Sequence, residues 1–584
     1  MKLVTLLGCL VLLLGNWAKA DSTFVSGAVS GLWTADGSPY IVQGDLTVQE
    51  NDTLQISPGV RVYFTGPFVL DVDSSAVLWA LGAEEDSIVF TGPTDSDSTR
   101  WAGLYARYTS DTLRFRYCVF ENATGRVQPT SYYYGAVTSV HNQLLMEHCA
   151  IRGNSSAGSY DVHGAGLRIN DRGSGDGSYT INDCIFENNS GFHGGALGIE
   201  DGEGTISRCI FRNNFAQSGA AVYSFISASH YRDCSFTGNA ALARGGAIWI
   251  EGNHGDMVDC EFTGNHSDGI GGAVCDTWGG GTTDQPKYEG CEFRNNSADS
   301  IGGAVIVGGN STVKKCLFLE NDAQDGGGLY YAIYSQPLTV TQCTFAENSA
   351  SDGSAAVSMS SQPYGSFYIV NSAFADNEGN TVIRYPDCAV SHFRNNLIWE
   401  NQTAAIFEGD ACAAKHVVDQ VNANGDSCDQ DFNLYLDPVF VDAENGDFHL
   451  LQGSPMIDAG VTGDNFATTN DPDSTLPDIG VFYFNQTPSA SDKPAAAPGE
   501  LALLQNYPNP FNDETTIEFE LQTPAHATLE LFDITGRWVR TLFDGNTRGR
   551  QFVRVEMNDL ASGIYIYRLR TPRQQLSSKM LLIR

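Results

Sequence analysis

Cys184-Ile-Phe-Glu-Asn-Asn-Ser-Gly-Phe-His-Gly-Gly-Ala-Leu-Gly-Ile199 returns one unit later as Cys209-Ile-Phe-Arg-Asn-Asn-Phe-Ala-Gln-Ser-Gly-Ala-Ala-Val-Tyr-Ser224. The shared pattern is C-x-F-x-x-N, then a glycine–glycine–alanine step and an aliphatic residue. It recurs about ten times between Cys118 and Asn401. The cassette cysteines fall at Cys118, Cys149, Cys184, Cys209, Cys234, Cys260, Cys291, Cys316 and Cys343, and Ser372 and Asn396 take their place in the last two copies. The shortest unit has 25 residues, too few to bury an apolar face of its own, so copies must stack on one another. Three short strands with tight turns fill that length. The expected result is a parallel β-coil with rungs roughly 4.8 Å apart.

Side-chain alternation assigns the faces. Cys and Phe stand two apart and both point inward, while the residue between them varies (Val119, Ile185, Ser235, Glu261, Thr344) and points out. Asn154, Asn189, Asn214, Asn239, Asn265, Asn296, Asn321, Asn348, Asn377 and Asn401 form a column at a turn, where amides can bond along the stack and cap backbone groups. The paired glycines suit a turn with positive φ or close backbone approach. No helix follows them, which argues against a nucleotide-binding loop. The next aliphatic position (Leu167, Leu197, Val222, Ile248, Val274, Val305, Leu329, Val357) points inward. Of the 14 cysteines, nine share one inward position and read as stacked free thiols acting as small apolar residues. Cys388, Cys412 and Cys428 lie off that column, leaving a Cys388–Cys412 or Cys412–Cys428 disulfide open. No Cys/His spacing suggests zinc.

The chain has 584 residues and a net charge of −36. Such a surface offers no electropositive face to phosphates and excludes a nucleic-acid partner, while permitting divalent cations. Residues 1–20 read as a secretory signal peptide: Lys2, an apolar run over 3–14 and an Ala18-Lys-Ala20 cleavage site. No other run is long and apolar enough to be transmembrane, so the mature chain is expected outside the cell, secreted or on the outer surface.

Before the cassette, residues 41–106 alternate in short apolar strands with Pro/Gly turns and read as opening rungs. After it, Asp437-Pro-Val-Phe-Val-Asp442, Gly453-Ser-Pro-Met-Ile-Asp-Ala-Gly460 and Pro477-Asp-Ile-Gly480 resemble the closing rungs of bacterial right-handed β-helix proteins. The cassette resembles polymorphic outer-membrane protein repeats. The resemblance spans roughly residues 40–485 and implies an all-β, right-handed parallel β-helix, a pectate-lyase-like solenoid with an N-terminal cap, over 21–485. Residues 486–500 read as a linker. Residues 501–584 then show strands at 515–521, 527–532 and 563–569, expected as a small immunoglobulin-like β-sandwich. Asn506-Tyr-Pro-Asn-Pro-Phe511, Asp533-Ile-Thr-Gly-Arg537, Ala561-Ser-Gly-Ile-Tyr565 and Lys579-Met580 resemble the C-terminal sorting domain of type IX secretion. That resemblance implies the type IX machinery as a partner.

Outward columns are where activity must be sought. The fifth position of the glycine-led strand reads Arg168, Gly198, Tyr223, Trp249, Cys275, Ile306, Tyr330, Ser358. Tyr223, Trp249 and Tyr330 are expected as exposed aromatics suited to sugar rings, to a protein interface, or to packing under a loop. Asp171 and Asp201, with Glu200 and Glu203 near them, are either a Ca²⁺ site or a solvated acidic rim. His163 and His193 precede the turn glycine on adjacent rungs and serve acid–base chemistry or merely fill a permissive turn. A lyase of this fold needs a cationic base beside a Ca²⁺ cluster, and Arg168 and Arg172 near Asp171 and Asp201 are the grouping that resembles one. Two functions therefore stand at this point. One is a non-catalytic, adhesin-like protein binding a polysaccharide or cell-surface ligand. The other is a Ca²⁺-dependent polysaccharide lyase or glycoside hydrolase.

Overall fold

The computed structural model describes residues 22–582 except 95, 97, 126–134, 157–162, 174–176, 253–254, 277–286, 333–336, 360–366, 385–390, 408–416, 464–467, 487–500 and short stretches of the tail (504–505, 507–508, 510, 513, 534–536, 558–559, 561 and 572–574). The expected signal peptide, most of the expected linker, Cys388 and Cys412 lie outside the described residues. The chain divides into two compact units, Met1–Asn485 and Gln486–Arg584.

The first unit is a parallel β-helix. One rung runs through Ser178–Asn182, Ile185–Glu187, Ser190–His193 and Leu197–Glu200, and each strand pairs in parallel with its counterpart a rung later. The first strand of each rung belongs to a 14-stranded sheet, and the others join a 35-stranded sheet wrapped around the coil. The rung thus has four strands where three were expected. The extra one, Ser190–His193, follows the ladder asparagine and is too short and polar to show strand periodicity.

The interior columns are as the alternation required. Phe186, Phe211, Phe236, Phe262, Phe293, Phe318, Phe345 and Phe374 stack with centroids 4.4–5.2 Å apart and planes within 9°. Rung spacing sets that distance. The asparagine corner is saturated with hydrogen bonds. Asn239 Nδ2 donates to Asn265 Oδ1 (2.9 Å) and to the Phe211 carbonyl (3.0 Å), while its Oδ1 accepts from Asn214 N (3.0 Å) and Nδ2 (2.9 Å). At the neighbouring corner the thiols behave in the same way: Cys209 Sγ donates to the Ile181 and Ser207 carbonyls and accepts from Cys184 N. Every described cysteine is a buried free thiol. Burial pushes the Cys291 and Cys316 thiols well above their usual range.

Both ends depart from the expected stacking. The coil already starts at Thr23–Ala28, which pairs with Tyr40–Val48. The closing phrases are not further rungs. Phe440–Asp442 and Asp447–Leu450 form an antiparallel hairpin, and the segment lies along the outside of the last rungs. Phe448 packs on Leu317, Leu319 and Ala346, while Leu434, Met456 and Ile479 pack on Ala373 and Leu397. This covering explains why the outward residue of the C-x-F strand changes from Glu261 to Leu317, Thr344 and Ala373. Cys428 sits in this cap as a buried free thiol, while its expected partner Cys412 lies outside the described residues.

The second unit is a five-stranded antiparallel sheet: Leu501–Leu503, Glu514–Asp533, Trp538–Glu556, Gly563–Arg570 and Gln575–Leu582. The strands expected at 515–521 and 527–532 are one long strand with a register shift between Leu521 and Ala525. Ile517, Phe519 and Leu521 share one core with Ala527, Leu529 and Leu531. Both halves of the strand therefore bury the same apolar interior, as the two layers of a sandwich would.

Candidate functional site

The glycine turn builds the site. Its first glycine has positive φ, for example +63° at Gly194 and +59° at Gly219. A Cβ there would lie 2.3 Å from the carbonyl oxygen of Leu197 or Val222, so only glycine fits. The tight turn makes a corner in the rung. Two outward columns, the residue before the glycine and the fifth residue of the following strand, therefore face each other across it.

Most of the residues singled out in sequence meet here. His163 Nδ1 and Glu200 Oε1 are 3.0 Å apart, and Arg168 donates to the same oxygen from Nε (3.0 Å) and from a terminal nitrogen (2.7 Å). Gly198 makes room: a Cβ there would lie 2.5 Å from the His163 backbone. Glu200 is buried, which opposes its charge. The His163 hydrogen bond and the Arg168 charge prevail and hold its pKa down to about 2. The ionised Glu200 fixes Nδ1 of His163 as the hydrogen-bond donor. The His163 and His193 rings stack at 5.3 Å, and each touches the edge or face of Tyr223. His193 also meets Trp249 edge-on at 5.0 Å. Burial first, then the charges of His163 and Arg244, lower His193 to about 4, so it is neutral at physiological pH.

Aromatic rings continue the corner. Phe225, Tyr223 and Trp249 lie at 6.3 and 4.8 Å from one another, and guanidinium groups cap both ends: Arg172 is 4.9 Å over Phe225 and Arg244 is 5.4 Å over Trp249. Tyr223 hydroxyl donates to Glu251 Oε2 (3.2 Å). Contrary to expectation, Tyr223 and Trp249 are only 3% and 7% exposed. What covers them is the opposite column of the corner: His193 and Arg244 here, and Ile270 and Ile301 over Cys275 and Ile306 farther along. Tyr330 is half-buried at the far end of that apolar strip. Two polar atoms in the corner, His193 Nδ1 and Trp249 Nε1, are buried without a hydrogen-bond partner.

The acidic grouping separates. Glu200 points into the corner, and Asp201, the next residue, turns to the other side, where it sits in register with Asp171. Asp171 is 1% exposed and neither carboxylate oxygen has a hydrogen-bond partner. Burial raises it to about 6, opposed by the nearby His141 backbone N–H and helped by a smaller push from Asp201. Asp201 Oδ2 accepts from Gly173 N (3.4 Å), and Glu203 is exposed on the neighbouring sheet. Arg168 does not stand beside Asp171 and Asp201 as a free base, because Glu200 neutralises it.

Two groups escaped the sequence reading. His266, Asp268 and Asp299 place three potential ligand atoms within 4.8 Å of one another, with His266 bonded to Asp268 (2.9 Å) and Ser297 (2.8 Å). A pocket of 670 Å³ is lined by Glu347, Asp376, Glu378, Glu400 and Glu444, with Glu347 and Asp376 raised in pKa chiefly by burial. Asp268 and Asp299 share a column on successive rungs, as do Glu347, Asp376 and Glu400, whereas Glu444 comes from the cap that lies against them.

Residues 165–345 and 246–422 match the family model of the right handed beta helix region, and residues 505–583 match that of the secretion system C-terminal sorting domain. Among curated proteins none matches the chain. Among the described residues no helix is long and apolar enough to cross a membrane. The stacked rungs and the matched tail together make this chain a right-handed parallel β-helix protein with a C-terminal sorting domain for type IX secretion.

Proposed function

We propose that the protein, delivered by the type IX route to the cell surface or the medium, is a non-catalytic, adhesin-like protein that binds a glycan or another surface through the corner between His163 and Glu251. The observation that carries this reading is the rail Arg172–Phe225–Tyr223–Trp249–Arg244. Two exposed arginines stand on aromatic rings in a chain whose net charge is −36. Guanidinium groups held over rings are ordered donors for hydroxyl, carboxylate or sulfate groups. Because Tyr223 and Trp249 are buried, they support the arginines rather than stack on sugars themselves. The full chain is tested against neutral and acidic polysaccharides and whole cells. An Arg172→Ala/Arg244→Ala double variant is expected to lose binding while keeping its melting temperature; equal binding sinks the reading.

One observation favours catalysis instead, by a polysaccharide lyase or glycoside hydrolase. Glu200 holds His163 in the tautomer that a general base requires. The calcium-dependent version is weakened by the pairing of Arg168 with Glu200. Product release from a polysaccharide panel that disappears in His163→Gln supports this second reading, and no product from the folded wild type removes it.

A further inference from the structure

We infer that Asp171 and Asp201 hold a divalent cation of the Ca²⁺ class, which pins the turn after the glycine-led strand to the next rung. The two carboxylates occupy one column on adjacent rungs, since Asn170 pairs with Glu200 and Asp171 N donates to the Glu200 carbonyl. Rung spacing brings like charges about 5 Å apart, a separation that is unfavourable for two bare carboxylates and natural for two ligands of one hard cation.

The decisive feature is Asp171. It is 1% exposed, and neither oxygen makes a well-formed hydrogen bond: the backbone N–H of His141, which lies close enough to favour its charged form, donates to the Asn170 carbonyl instead (3.0 Å). A buried carboxylate without donors is costly, and buried charges are ordinarily paired or metal-bound. No basic side chain fills the gap: Arg168 and His163 are bonded to Glu200, and Arg172 reaches toward Glu200 (3.7 Å) and Phe225. The surroundings leave the carboxylate boxed rather than solvated. A Cβ on Gly177 would lie 2.0 Å from Asp171 Oδ1, and one on Gly202 would lie 3.1 Å from Oδ2 and 3.3 Å from the Tyr179 ring. Glycines at both positions let backbone approach the carboxylate, and main-chain carbonyls are the usual partners that complete a Ca²⁺ shell. Asp201 supplies the second carboxylate and anchors the turn through Gly173 N. The site is independent of the Arg172–Arg244 rail, because Glu200 and Asp201 project to opposite sides.

The experiment uses the full chain after chelation. Thermal unfolding is followed with and without Ca²⁺, and Tb³⁺ luminescence is read with Tyr179 as the nearby sensitiser. The wild type is expected to show a saturable rise in melting temperature with Ca²⁺ and Tb³⁺ emission that Ca²⁺ displaces. Asp171→Asn is expected to fold, to lose the Ca²⁺-dependent rise, and to weaken Tb³⁺ binding by about ten-fold or more. Asp201→Asn should weaken both effects as well. Asp268→Asn, in the exposed His266–Asp268–Asp299 group, should leave both unchanged. A wild-type melting temperature indifferent to Ca²⁺, or a response that survives Asp171→Asn and vanishes in Asp268→Asn, overturns the assignment.

Discussion

The two corners that flank the short third strand, one led by asparagine and one by glycine, follow opposite rules. At the asparagine corner every rung repeats one residue, every polar atom of that residue is used, and the side chains are 0–1% exposed from Asn154 to Asn377. At the glycine corner the backbone is as regular, but its outward residues change from His163 to His193, Ser218, Arg244 and Ile270. That corner also keeps unpartnered polar atoms, the His193 Nδ1 and Trp249 Nε1. Identity repeated along a solenoid signals a part that must fit its own copy. Variation on a fixed backbone signals contact with something other than the coil.

The comparison breaks most easily in the interior. Phe236→Ala removes a ring stacked on both neighbours and is expected to cost about 3–5 kcal/mol, read by urea unfolding of the full chain. A cost below 1 kcal/mol would mean that the column does not carry the stack. Asn239→Ala strands buried amide and carbonyl groups on two rungs and should cost roughly 2–4 kcal/mol by the same measurement. Replacing Ser218 with Ala, at the glycine corner, should cost under about 1 kcal/mol.

A pH series sharpens the contrast. His193 is held near 4 in the folded chain, against the ordinary histidine value of 6.5. Between these values the unfolded chain binds the proton and the folded chain does not, so stability falls as pH drops from 6.5 to 4. Glu200, lowered from 4.5 to about 2, extends the loss to lower pH. Asp171, raised from 3.8 to about 6, acts the other way and weakens the cation-free fold as pH rises through that window. His193→Gln should flatten the loss between 6.5 and 4, measured by unfolding at stepped pH. An unchanged slope would mean that His193 is not the group responsible.

The smallest effect is expected at the surface ion pair of Arg208 with Asp183, bonded at 2.7 and 2.8 Å but about half exposed at the arginine. Arg208→Ala should leave the melting temperature essentially unchanged, because solvent screens so exposed a pair, which makes it a useful charge control for the corner arginines.

Much of the coil was legible because a repeated rung states its own register. Cys and Phe two apart, Asn three later and an aliphatic after the glycines fix which side chains point in. The cap was not legible, because its hairpin lies along the outside of the coil and follows no rung. Its trace was nevertheless present: the outward position turned apolar at Leu317 and Ala373. The candidate site was half legible. His163, Arg168, Tyr223 and Trp249 were picked out, but as separate columns. Their meeting depends on a corner that brings together residues from different rungs. The hint was that both columns turn apolar on the same rungs, Ile270 and Ile301 against Cys275 and Ile306. Glu200 does not join Asp171 and Asp201: Glu200 and Asp201 are neighbours in sequence, but alternation places them on opposite sides.

The most direct test places two arginines side by side. Wild type, Arg244→Ala and Arg208→Ala are compared for binding to the polysaccharide or cell surface that the full chain recognises, with melting temperatures recorded in parallel. The two variants lose the same charge, one from the variable glycine corner and one from the ion-paired surface of the regular rungs. The account predicts that binding falls for Arg244→Ala alone, at unchanged melting temperature. Equal loss in both, or retained binding in Arg244→Ala, would contradict it.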